Sequence, residues 1–135
     1  MSAVAELLRA TPTAPSRPWP RAELLGEEWQ AMAAALAAPD APELRALWAD
    51  TARVYVLLQE GASFLFASVA VEAGQYPALS PARPGAAWFE RAIADLWGHI
   101  ATGARDLRPW LDHGRWPAAA PLSVLSLIHI PSPRD

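Results

Sequence analysis

The chain has 135 residues, which suits one domain with a single core. An apolar share of 53% against 19% charged residues excludes wholesale disorder. The absence of cysteine excludes disulfides, zinc ribbons, thiolate nucleophiles and cysteine-held iron–sulfur clusters, and a net charge of −3 lacks the basic face of a nucleic-acid binder.

Residues 1–20 read as a lead. Glu6 and Arg9 interrupt the first apolar stretch, so it has no signal-peptide core. The run Thr11-Pro12-Thr13-Ala14-Pro15-Ser16-Arg17-Pro18-Trp19-Pro20 is too rich in proline for a helix. From Arg21, the residues Leu25, Trp29, Met32 and Leu36 recur at spacings of four, three and four, which predicts a helix ending at Pro39. A second short helix is expected behind Asp40, with Pro42 and Glu43 in its first turn and Leu44, Leu47 and Trp48 as its buried stripe.

The period then changes. Arg53–Gln59 and Phe64–Val71 are rich in β-branched and aromatic residues and flank Glu60-Gly61-Ala62-Ser63, so they predict an antiparallel hairpin. Residues 73–85 carry three prolines and two glycines and read as a structured loop. Ala86–Trp97 is the clearest helix, with Phe89, Ala92, Ile93 and Leu96 on its core face and Gly98 at its C-terminal stop. The predicted fold is therefore α+β: two N-terminal helices, a small antiparallel sheet with one packed helix, and an extended C-terminal tail.

Chemistry is sparsely marked. No serine sits in a G-x-S-x-G elbow, no glycine-rich loop precedes a G-K-S/T, and His99, His113 and His129 lack a second histidine at helical spacing. Asp112 beside His113 is the best acid–base pair, although neighbouring side chains usually point apart and a polar surface turn is the simpler reading. An enzyme would need a pocket lined by residues such as His99, Asp112 and His113. On the third helix, Trp88, Arg91 and Asp95 share the side opposite the core stripe. That pattern fits either an exposed ion pair worth a few tenths of a kcal/mol or a face for a partner protein, since Trp and Arg are enriched at binding hot spots.

Tyr76-Pro77-Ala78-Leu79-Ser80, then Ala87-Trp88-Phe89-Glu90-Arg91-Ala92-Ile93-Ala94-Asp95-Leu96-Trp97-Gly98, resembles the signature of the C-type subunit of the respiratory NADH–quinone oxidoreductase, complex I. That family's helix runs roughly A-x-W-[FY]-E-R-E-x-x-D-[LM]-[FW]-G and continues G-H-P-D-L-R-R-x-L. This chain continues Gly103-Ala104-Arg105-Asp106-Leu107-Arg108-Pro109-Trp110-Leu111, keeping glycine, aspartate, leucine and arginine in register. Ala92 replaces an acidic residue, and Ala104-Arg105 replaces histidine-proline. Leu111-Asp112-His113-Gly114-Arg115-Trp116-Pro117 is most similar to the related N-terminal domain of membrane-bound nickel–iron hydrogenase large subunits.

The resemblance covers about residues 50–117 and implies a domain of this complex I type over 21–117. It implies a structural subunit, or N-terminal domain, without catalytic residues, cofactor or metal of its own, docked to the large subunit and other peripheral-arm subunits. The complex would carry electrons from NADH, hydrogen or formate to quinone or protons. The iron–sulfur clusters, and nickel–iron in the hydrogenases, would reside on those partners. The implied interface residues are Trp88, Glu90, Arg91, Asp95, Gly98, Gly103, Asp106 and Arg108. The implied location is the cytoplasmic side of the inner membrane, reached through partners without insertion and without nucleic acid. The alternative is a self-contained interaction module or small enzyme. Residues 118–135 read as a tail. Its last part, Leu125–Asp135, departs in style from the rest and resembles translated adapter sequence, so a natural chain would be expected to continue differently after about Pro121.

Overall fold

The computed structural model describes residues 2–11, 13–14, 20–104 and Leu122. Ser2 opens α1 (Ala3–Ala10): its hydroxyl accepts the Ala5 N–H at 3.1 Å, and Val4, Ala5 and Leu8 turn inward. Local spacing does not predict this helix, because at 8 residues it is too short to hold on its own and only its contact with the sheet makes it worth forming. Within the proline-rich lead, β1 (Thr13–Ala14) pairs antiparallel to β2 (Arg21–Leu24).

The helix expected from Arg21 starts five residues later. Arg21–Leu24 alternates inward and outward as β2 and pairs parallel to the hairpin, and α2 then covers Gly26–Ala35. Leu25 is the hinge: its extended backbone hands its N–H to Glu28 Oε1 at 2.8 Å, and its side chain is 65% exposed. Trp29, Met32 and Leu36 are buried as the spacing requires, but Leu25 is not.

The second expected helix is a strand. β3 (Glu43–Ala49) pairs antiparallel with β4 (Arg53–Glu60), and a bulge lies between Leu44 and Ala46. The extra residue puts both Leu44, opposite Leu58, and Leu47, opposite Val56, on the core side. A spacing of three in a bulged strand thus imitates a helical stripe, while Trp48 faces the other way.

β4 and β5 (Ser63–Ala70) form the predicted hairpin, closed by Gly61-Ala62 with Gly61 at φ 60°, a conformation that suits glycine. The main sheet runs in the order β1-β2-β5-β4-β3. It is mixed rather than wholly antiparallel, since β2 joins β5 in parallel. A second, two-stranded parallel sheet pairs β6 (Gln75–Pro77), inside the expected loop, with β7 (Ile100–Thr102). Between them lies α3 (Ala86–Trp97), as read from sequence, stopped by Gly98 in the left-handed conformation. The α+β class stands. All three helices pack on one face of the main sheet, over Val54, Val56, Leu58, Leu65, Ala67 and Val69. Apart from Leu122, the expected C-terminal tail lies outside the described residues.

Candidate docking surface on the third helix

The two halves of the sequence motif, Tyr76–Ser80 and α3, are joined by one side chain. Glu90 is 3% exposed, and its Oε2 accepts the backbone N–H groups of Leu79 at 2.6 Å and Ser80 at 3.2 Å. Burial pushes the Glu90 carboxyl up, and the bonds to Ser80 and Leu79 only partly offset this. Its other oxygen, Oε1, is buried without a hydrogen-bond partner among the described residues, as is the Tyr76 hydroxyl. Burial, and the negative charge of Glu90, likewise push the Tyr76 phenol up.

This inward turn of Glu90 corrects the expected interface. Residues Ala86, Glu90 and Ile93 are the deeply buried positions of α3, while Phe89 packs at the margin of the core and Ala92 and Leu96 are half-buried. The core stripe is rotated by about one position from the apolar pattern, because the two free N–H groups of the 79–80 turn demand an acceptor that no apolar residue supplies.

The same segment is tied on its other side. Trp29, fully buried on α2, donates Nε1–H to the Pro77 carbonyl at 2.8 Å. Thr102 donates its hydroxyl to the Tyr76 carbonyl at 3.2 Å, and the Ala78 N–H bonds the Thr102 carbonyl at 2.9 Å. Arg83 spans the end of α2 and the entry to β3 by donating to the carbonyls of Leu36 at 3.1 Å and Pro42 at 3.0 Å. Sequence reasoning missed Arg83 and the Trp29 bond, since neither leaves a trace in local spacing.

What this frame presents is the outer side of α3. Trp88 is 52% exposed, and the Arg91 guanidinium lies 5.4 Å from its ring centroid, a cation–π pair at i,i+3. Asp95, one turn on, is half-buried on that side. Gly98 and Gly103 both hold positive φ, at 79° and 88°, at the two ends of the Gly98–Gly103 segment that carries β7. Asp106 and Arg108 lie outside the described residues.

Of the possible acid–base residues, only His99 lies among the described ones. His99 is 7% exposed, and its Nε2 lies 2.8 Å from the Asp50 carbonyl oxygen, which can only accept, so that nitrogen carries the hydrogen. The ring also stacks on Trp97, making His99 a tie between the end of α3 and the β3–β4 turn. Asp112, His113 and His129 are outside the described residues. Among the described residues no group of three or more histidine, aspartate or glutamate side chains is placed to hold a metal ion.

The family model for the respiratory-chain NADH dehydrogenase 30 kDa subunit matches residues 19–124. The chain belongs to this family. It is accordingly a subunit of an NADH dehydrogenase-like complex, whose other subunits are its partners. The solved structures it resembles include Nqo5 of a trypsin-resistant fragment (1–134), with a TM-score of 0.61 and 22% identity over 77% of this chain and 96% of that one. That likeness concerns the fold. No curated protein matches the chain in sequence. No helix among the described residues is long and apolar enough to cross a membrane.

Proposed function

We propose that this 30 kDa-family subunit is non-catalytic and docks to the large subunit of its complex through the outer side of α3, so holding the subunits that carry electrons in place. The observation that carries the reading is the pair of exposed Trp88 and half-buried Arg91, set on a helix that Glu90 locks to the rest of the motif. An aromatic–arginine pair at the surface of a rigid support is the composition of an interface anchor. Iron–sulfur clusters, and quinone chemistry at the membrane, would belong to the partners, with this chain held at the membrane only through them. The hydrogenase-type assembly is a second form of the same reading, favoured by the sequence Leu111–Pro117.

Co-expression with the large subunit tests it. The unmodified chain should co-purify with that subunit, and Arg91→Glu should reduce the yield roughly tenfold while leaving the melting temperature of the lone chain within a few degrees. Equal co-purification of Arg91→Glu and the unmodified chain would overturn the assignment of this face. Capture of a nickel–iron large subunit in place of an NADH dehydrogenase one would select the second form.

A further inference from the structure

We draw no further inference here: the strongest candidate, the surface patch of packed Trp48, Tyr55 and Phe66 rings on the side of the main sheet away from the helices, carries none, because nothing in the structure shows what covers it.

Discussion

Replacing Glu90 by glutamine should stabilise the chain above neutral pH, although it alters the most central side chain of the motif. Glutamine keeps an oxygen for the Leu79 and Ser80 N–H groups, removes the buried charge, and adds an N–H₂ that can donate. The carboxyl's own tendency sets the sign. Its pKa is raised in the folded chain, first by burial, so the folded state holds its proton to higher pH than the unfolded state, where glutamate titrates near 4.5. Folding then takes up a proton, and stability falls as pH rises from about 4.5 through the raised folded value. Above that value the full cost of an ionised, 3%-exposed carboxylate remains. Glu90→Gln should flatten this decline, nearly matching the parent at pH 4.5 and exceeding it at pH 8. Glu90→Ala separates charge from hydrogen bonding. It strands two backbone N–H groups at ~1–3 kcal/mol each, a loss of about 10 °C or more in melting temperature at either pH. Urea melts followed by circular dichroism between pH 4.5 and 8.5 give all three curves. If Glu90→Gln is the less stable chain at pH 8, the ionised carboxylate is favourable where it sits, and the account of its burial is wrong.

Asp50 works in the opposite direction. Burial raises its pKa, but the Tyr55 hydroxyl and the Ala52 and Arg53 N–H groups outweigh that and hold it below its usual value. Its contribution is therefore present above about pH 3.8 and lost as pH falls through the lower folded value, so Asp50→Asn should cost ~1–3 kcal/mol at pH 7 and converge on the parent in acid melts. Arg83→Ala leaves the Leu36 and Pro42 carbonyls without their donor and should cost ~1–3 kcal/mol, with faster amide exchange at the end of α2 and the start of β3.

Sequence alone determined the elements whose pattern is local. The β4–β5 hairpin and α3 follow from β-branched runs around Gly61 and from apolar periodicity up to Gly98, and the motif on α3 carries the family. The Trp88–Arg91 side was legible too, since residues three apart on a helix must share a face. Tertiary structure decided everything that depends on what lies opposite. Arg21–Leu24 became a strand because β5 offered an edge, and Glu43–Ala49 because β4 did, with a bulge whose spacing looks helical in one dimension. Glu90 reads as a surface acid beside Arg91, and only the unpaired N–H groups of a turn 10 residues away draw it inward. The mutual packing of the Trp48, Tyr55 and Phe66 rings was hidden for the same reason. Trp48, Tyr55 and Phe66 lie on three different strands, and no spacing rule brings them together until the register of the sheet does.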